Sequence, residues 1–583
     1  MLGSGEKKIL SLDFARSNWP GIAAFVFFLA GFPLFKQWQW VFFLPVFLFL
    51  LFKLKHEWWP AYLTAALYTL CFPHAGLGFL AFICLAPVLV LAMDAERAKT
   101  AMFFGFLAGF LGSLGKVYWI VYPITYFSPI PFAVGILVTT VVCLCLGAFW
   151  SWNFGVLHWA VKKGRLPLWL VFPLGWIFWD FWLTWFLTGF PWDLLGNAAY
   201  HIPYFNQTFD LFGSLSVGLV FALSNVMFAE LWWYRRGRRT TLPRRLITAV
   251  VVIVLAGFAY GVIRSGQIEN RMKEGTAVKV GFVQGNVDQN RKWKPEYRSW
   301  IFDNFGKLAR RVKAEGAELI IFPETSIPVR QRRWRPLNER VRHYAVENNA
   351  WVLTGVPTSG KRLNRDDPRG QYTSHNSAVL VNPAGIDVQW YDKNRLVLFS
   401  EYIPFKHHFQ AGLDFFTNLL GLPRKRIAGT LNFETGGYYA MMPYPKAPFS
   451  VFICYEAVYP EVVRRQNALG AKFLVTITND AWFGPTSAPY QHWAQVGIRA
   501  IENRRWVARA ANTGISGIID PLGRTVQKTG LYVEAAPVGT VYAMDTVSLY
   551  QRTGNLFPYL CIVIYLGLLI FVVARRLRDR KEK

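Results

Sequence analysis

By hydropathy the chain divides into a long apolar part, a long polar part and a last apolar run. Unbroken apolar segments fall near 21–35, 39–52, 58–73, 78–93, 101–121, 132–158, 168–187, 211–233, 246–264 and 555–574. The later ones have the roughly 20-residue length that crosses a bilayer, which predicts membrane-spanning helices. The first two are shorter and separated only by Phe35-Lys36-Gln37-Trp38, a spacing that suits a tight hairpin or a re-entrant pair. Between 277 and 545 the period changes. Residues 278–283 read as a strand, and the helix after it sets Ile301, Phe305, Leu308 and Val312 on one face at three- and four-residue spacing. Residues 319–322 predict a short buried strand, 337–349 a helix and 351–355 a strand. Further strands are expected at 377–382, 386–391, 449–453, 472–478, 506–511 and 515–519. Alternating strands and helices with two sheet faces to cover predict a layered α/β sandwich.

Composition supports this division. The chain has 583 residues, 53% hydrophobic and 17% charged, so two or more units are expected, one of them in a membrane. A net charge of +28 raises the question of nucleic acid, but the charge sits in the wrong places. Lys53 and Lys55, Lys162 with Lys163 and Arg165, Arg235 to Arg245, and Arg575 to Lys581 all flank apolar runs. Clusters of this kind set topology, and no nucleic-acid partner is expected. They fall on one side when the spans are walked, together with the N-terminus and residues 94–99, and the positive-inside rule makes that side cytoplasmic. The polar region then lies on the opposite face. Lys7 and Lys8 are followed by an apolar stretch only from Gly21, so the first spans are expected to stay as anchors rather than be cleaved. The expected layout is an N-terminal extension with one or two apolar segments (1–56), a transmembrane helical domain (57–265), a catalytic α/β domain (277–545) and a C-terminal transmembrane helix (555–575).

Chemistry concentrates at strand ends in the polar region. Of six cysteines, Cys71, Cys84, Cys143, Cys145 and Cys561 lie in apolar segments, and Cys454 alone belongs to 277–545. With no disulfide partner there, Cys454 is either a buried core thiol or a reactive one. Glu324 follows the strand at 319–322, and Lys393 follows the strand at 386–391, with Phe399-Ser400-Glu401 close behind. A thiol, a carboxylate base and an ammonium that stabilises an oxyanion make a complete acyl-transfer set. Singly, each has a plainer reading: Glu324 as a solvated turn residue, Lys393 as a surface lysine, Glu401 and Glu456 as ion-pair partners. His492, between Gln491 and Trp493, reads as a structural polar contact. His407 and His408 lack metal-ligand spacing, and no zinc pattern or glycine-rich phosphate loop is present.

Phe322-Pro323-Glu324, the Lys393 run and Ile453-Cys454-Tyr455-Glu456 resemble the Glu–Lys–Cys triad of the nitrilase (carbon–nitrogen hydrolase) superfamily. The membrane context narrows the resemblance to the apolipoprotein N-acyltransferase family. It extends through Leu187-Thr188-Gly189-Phe190-Pro191-Trp192, Val283-Gln284-Gly285-Asn286, Asn479-Asp480-Ala481-Trp482-Phe483-Gly484, Gln491-His492 and Arg552-Thr553-Gly554-Asn555, roughly residues 57 to 580. It implies a multi-span α-helical membrane domain joined to an αββα nitrilase-like sandwich. It also implies catalytic roles for Glu324, Lys393 and Cys454, an acyl-site role for Trp293, and supporting roles for Asn376, Phe399, Glu401, Tyr455 and Glu456. The expected partners are a phospholipid acyl donor and a diacylated apolipoprotein acceptor at the periplasmic face of a bacterial inner membrane. The enzyme is expected to act as a monomer, and the chemistry requires no metal or organic cofactor. A membrane-anchored amidase acting on a soluble amide is the alternative reading of the same triad. Residues 402–422, dense in Phe405, Phe409, Phe415 and Phe416 and followed by Arg424, Lys425 and Arg426, read either as a packed helix or as a lipid-receiving lid.

Overall fold

The computed structural model describes residues 56–127, 130–327, 329, 331–332, 338–362, 372–398, 400–402 and 433–582. The two apolar segments expected before residue 53, Phe399 and nearly all of the expected lid lie outside these residues.

The first part is helical: α1 (Trp59–Leu70), α2 (Gly78–Asp94), α3 (Ala98–Tyr126), α4 (Phe132–Lys163), α5 (Leu168–Trp182), α6 (Phe205–Arg235) and α7 (Arg244–Lys273). Among the described residues, α3, α4, α6, α7 and the C-terminal helix Leu556–Lys581 are long and apolar enough to cross a membrane. Three segments fall short of the expected span length: α1, α2 and α5. α1 has 12 residues and α5 has 15, roughly 18 and 22 Å at 1.5 Å per residue. α1 stops before Cys71-Phe72-Pro73, and α5 gives way after Trp182 to a loop that runs under the catalytic region.

The polar part is a two-sheet sandwich. Its elements are β1 (Thr276–Phe282), α8 (Arg298–Ala314), β2 (Leu319–Ile321), β3 (Gln331–Arg332), α9 (Glu339–Glu347), β4 (Trp351–Arg362), β5 (Tyr372–Val381), β6 (Asp387–Asp392), β7 (Met441–Met442), β8 (Phe449–Ile453), α10 (Pro460–Ala468), β9 (Phe473–Thr478), α11 (Ala488–Asn503), β10 (Val507–Ala511), β11 (Gly517–Ile519), β12 (Thr525–Lys528) and β13 (Val538–Ala543). One sheet runs β13-β1-β2-β4-β5-β6 with β3 against β4, and the other runs β12-β11-β10-β9-β8-β7. Alternation along each strand assigns the two faces. Leu319 and Ile321 of β2 point between the sheets, toward Val451 and Ile453 of β8, while Ile320 and Phe322 pack outward with Ile301 and Phe305 of α8. On the far side Phe452, Leu474 and Val507 meet Val463 of α10 and Val496 of α11. The result is the αββα layering expected from the sequence.

α11 joins the two parts. All its residues except Tyr490 are buried, because one side covers the sheet and the other packs into the apolar helices through Ile498 and Ile501. Beyond it, Arg504 donates to Asp210 Oδ2 at 2.8 Å and to Gln207 Oε1 at 2.6 Å, both on α6. The turn 73–77 and the ends of α3 and α5 contact this side of the sandwich, as when Gln491 Nε2 donates to the carbonyls of Pro73 and Lys116. The basic clusters gather at the other end of the helices, where Trp233 donates to Asp94 at 2.9 Å and His158 contacts the carbonyl of Ala95.

Candidate active site

β8 ends at Ile453, and Cys454 turns the chain with φ at +51° into a short 3₁₀ helix, Cys454–Val458. A non-glycine residue in this left-handed region is strained, so the surroundings must hold it. Glu456 does so. Its Oε2 accepts from Ile453 N at 2.7 Å, and its Oε1 accepts from Asn394 N at 2.6 Å and from the Tyr391 hydroxyl at 2.7 Å. One carboxylate thus ties the Cys454 turn to the loop that carries Lys393. Burial pushes Glu456 up to about 7 against the pull of these donors. His492 braces the same turn: its Nε2 lies 3.0 Å from the Cys454 carbonyl and its Nδ1 3.0 Å from Asp480 Oδ1. Burial and then Arg509, 3.2 Å from Nδ1, lower the His492 pKa, with Asp480 opposing.

Glu324 stands on the turn after β2, buried at 5% exposure. Its Oε2 accepts from Asn479 N at 2.9 Å, its Oε1 from Asn376 Nδ2 at 2.6 Å, and Lys393 Nζ lies 3.5 Å from that Oε1. Asn376 on β5 and Lys393 after β6 are neighbours because Lys393 N donates to the Asn376 carbonyl, continuing the β5–β6 ladder. Both then reach Glu401, Lys393 Nζ at 3.0 Å and Asn376 Nδ2 at 2.8 Å. One ammonium and one amide are shared by two buried carboxylates. Burial alone would lower the Lys393 pKa, but Glu401 and Glu324 outweigh it and hold the ammonium well above the usual lysine value. Burial, then the charge of Glu324, raises the Cys454 thiol well above its ordinary range, with Lys393 opposing. At rest the site holds a neutral thiol and a charged lysine.

The remaining expected residues lie around this cluster. Tyr455 turns toward the apolar helices, stacking on Trp192 at 6.3 Å and edge-on to Tyr459 at 5.3 Å, whose hydroxyl donates to the Gly189 carbonyl at 2.7 Å. Trp293 ends the one-turn helix Gln289–Lys292 with its ring 46% exposed. Phe399 lies outside the described residues.

Three contributors carried no assigned role in the sequence reading. Lys292, 1% exposed, donates to Thr325 Oγ1 at 2.8 Å and to the Glu324 carbonyl at 3.3 Å, clamping a turn whose Thr325 has φ of +44°. Burial lowers its pKa to about 8 despite Glu324. Gly355 on β4 lets that turn approach: a Cβ there would stand 2.7 Å from Glu324 Cα and 2.6 Å from Thr325 N. Asn479 supplies the backbone N–H to Glu324, and its side chain bonds Gln289 at 2.8 Å. The signal for Lys292 was its place beside Trp293; Gly355 left none, because its role is an approach between segments distant in sequence. No cluster of metal-ligating side chains occurs among the described residues.

Residues 279–543 match the carbon-nitrogen hydrolase family, and residues 64–227 match the apolipoprotein N-acyltransferase N-terminal domain. An apolipoprotein N-acyltransferase of Geobacter metallireducens is 31% identical over 87% of this chain and 94% of its own length. One from Azotobacter vinelandii is 30% identical over 85% of this chain and 92% of its own. Among solved structures, Saccharomyces cerevisiae Nit3 of the nitrilase superfamily covers 46% of this chain and 90% of that one, at 16% identity and a TM-score of 0.35. With sequence likeness running through both the apolar helices and the sandwich, the chain belongs to the apolipoprotein N-acyltransferase family.

Proposed function

We propose that the protein moves an acyl chain from a membrane phospholipid to the N-terminal α-amine of a diacylglyceryl-cysteine lipoprotein, through a thioester on Cys454. The observation that carries this reading is the buried cluster of Glu324, Lys393 and Glu401 beside a thiol kept neutral at rest. A neutral buried thiol needs an adjacent base, and Glu324 is the carboxylate it feels most. In the first step sulfur attacks the ester carbonyl as Glu324 takes the thiol proton. Lys393 and a backbone N–H stabilise the oxyanion. The intermediate collapses with loss of the lysophospholipid alkoxide, which receives the proton from Glu324. In the second step the acceptor amine attacks the thioester, Glu324 takes its proton, and the C–S bond breaks to return the thiolate, which is reprotonated. No cofactor enters either step.

A membrane setting suits two lipid substrates, since each buried CH₂ of an acyl chain contributes roughly 0.8 kcal/mol to staying in the bilayer. The gathering of basic clusters at the end of the helices away from the sandwich supports a cytoplasmic end there and a catalytic domain facing the periplasm, in an inner membrane. The layout proposed from the sequence, with helices over 57–265, catalysis over 277–545 and a closing helix at 555–575, fits this orientation. The test is reconstitution in vesicles holding a phospholipid labelled in its acyl chain and a diacylglyceryl-cysteine peptide. Label is expected on the peptide amine with the parent protein and not with Cys454→Ser. Transfer by Cys454→Ser, or hydrolysis of a soluble amide with no lipid turnover, would overturn the proposal.

A further inference from the structure

A cavity of about 380 Å³ lies where the sandwich meets the apolar helices, within the size range of small-molecule sites. Its floor is the start of α10 and the kink of α6 at Phe212 and Gly213, and its mouth is rimmed by Trp185 after α5 and by Tyr559 near the start of the C-terminal helix Leu556–Lys581. Both rim rings are about half exposed, Trp185 at 48% and Tyr559 at 51%. Tryptophan and tyrosine at the ends of apolar helices mark the headgroup level of a bilayer. The cavity therefore opens at the depth where lipid phosphates sit.

Its charge is positive. The Arg395 guanidinium lies over the Tyr459 ring at 5.2 Å and pairs with no carboxylate among the described residues, while its backbone N–H donates to Glu456. Arg465 lies over the Tyr439 ring at 6.0 Å, and the single carboxylate of Glu461 is shared between Arg465 and Arg464, each at 2.8 Å. Two guanidiniums, Arg395 and Arg465, thus line the cavity with one carboxylate, Glu461, which Arg464 behind the wall also engages. Guanidinium forks suit phosphate oxygens. The Cys454 site is one wall away: Tyr459, which lines the cavity, touches Tyr455, and Arg395 follows Lys393 by two residues.

We propose that this cavity binds the phosphate of a membrane phospholipid headgroup through Arg395 and Arg465. It rests on the reading of the protein as a phospholipid-using enzyme and adds the place where the donor's phosphate is held. Neither arginine takes part in the acyl transfer itself, so their loss acts on donor binding.

The test uses full-length Cys454→Ala protein in detergent, which cannot trap acyl groups, titrated with short-chain phosphatidylglycerol, with the matching diacylglycerol and with inorganic phosphate. Arg395→Gln and Arg465→Gln are each expected to weaken phosphatidylglycerol binding about tenfold or more, as loss of a charge-assisted contact would, and to leave diacylglycerol binding unchanged. Both side chains are exposed, so folding is not at issue; unchanged thermal unfolding of each variant verifies this. Equal phosphatidylglycerol affinity in parent and variants would overturn the proposal, as would an equal loss for diacylglycerol. Inorganic phosphate competing as tightly as the lipid would overturn the headgroup assignment. The same variants with Cys454 restored separate this site from the main reading. Thioester formation with an unchanged half-saturating donor concentration sinks the cavity site alone. Arginine-dependent lipid binding without any thioester sinks the acyl-transfer reading alone.

Discussion

At the scale of single residues, the site works by sharing charge rather than by exposing it. Lys393 balances Glu324 and Glu401 while the thiol of Cys454 stays protonated. Glu324→Gln should therefore fold yet lose acylation of Cys454 by about 10²- to 10⁴-fold, the usual worth of a general base, in a single-turnover assay. The thiol's raised pKa predicts a pH profile as well. An exposed cysteine nucleophile gains rate as pH climbs through its ordinary value near 8.5; acylation here should show no such rise, because burial and Glu324 hold the thiol neutral beyond it. Lys292 gives a prediction with the opposite sign. Its folded pKa, about 8, lies below its unfolded value, so the native state releases the proton first. Its contribution to stability is least favourable below about pH 8 and improves as pH rises toward the unfolded value. Thermal unfolding of the parent relative to Lys292→Met should accordingly shift upward between pH 8 and 10, while Lys292→Met loses the clamp on the Glu324 carbonyl and slows acylation at pH 7.

At the scale of elements, strand ends position the chemistry and close backbone approaches fix the strand ends. Gly355→Ala puts a methyl 2.6 to 2.7 Å from the Glu324–Thr325 backbone, so the turn must move. A cost of about 1–3 kcal/mol in stability and a larger fractional loss of acylation than of lipid binding are expected, measured by thermal unfolding and by thioester yield. Much of this level was legible in the sequence. The stripe Ile301, Phe305, Leu308 and Val312 is buried on α8 as its spacing required, and β8 spans the expected 449–453. α11 was not legible. A helix needs a solvated face to show its period, and here Gln491, His492, Gln495, Arg499 and Glu502 are all buried against partners. β12 and β13 escaped for the contrary reason. Both are largely uncovered, so residues such as Thr525, Gln527 and Lys528 do not alternate with core residues. The shortness of α1 and α5 also could not be read, since apolar composition continues past each helix end into segments that pack on the sandwich.

At the scale of the whole molecule, the sandwich is locked onto the helices instead of tethered by them. Arg504, fully buried, reaches Asp210 and Gln207 on α6, and Arg264 of α7 meets the same Asp210 at 2.9 Å. Arg504→Ala leaves that carboxylate with Arg264 and the Tyr260 hydroxyl, and a loss on the order of 3 kcal/mol is expected, seen as earlier unfolding in detergent. The lock matters because both proposed substrates approach from the bilayer, and the residues after Cys454 (Tyr455, Val458, Tyr459 and Val462) pack directly on Trp119, Leu146 and Trp192 of the apolar part. Sequence patterning disclosed the two parts and pointed to the runs around Glu324, Lys393 and Cys454 but not to this seam, whose polar contacts join residues roughly 300 to 400 positions apart. The central claim is that Cys454 carries the acyl chain between two lipids, and one measurement tests it most directly. Full-length protein is mixed with acyl-labelled phospholipid and no acceptor, quenched and digested. Near-stoichiometric, hydroxylamine-sensitive label on the Cys454 peptide, chased off by a diacylglyceryl-cysteine peptide, is the expected result. Acylated acceptor formed with no label ever on Cys454, or label that the acceptor does not remove, would contradict it.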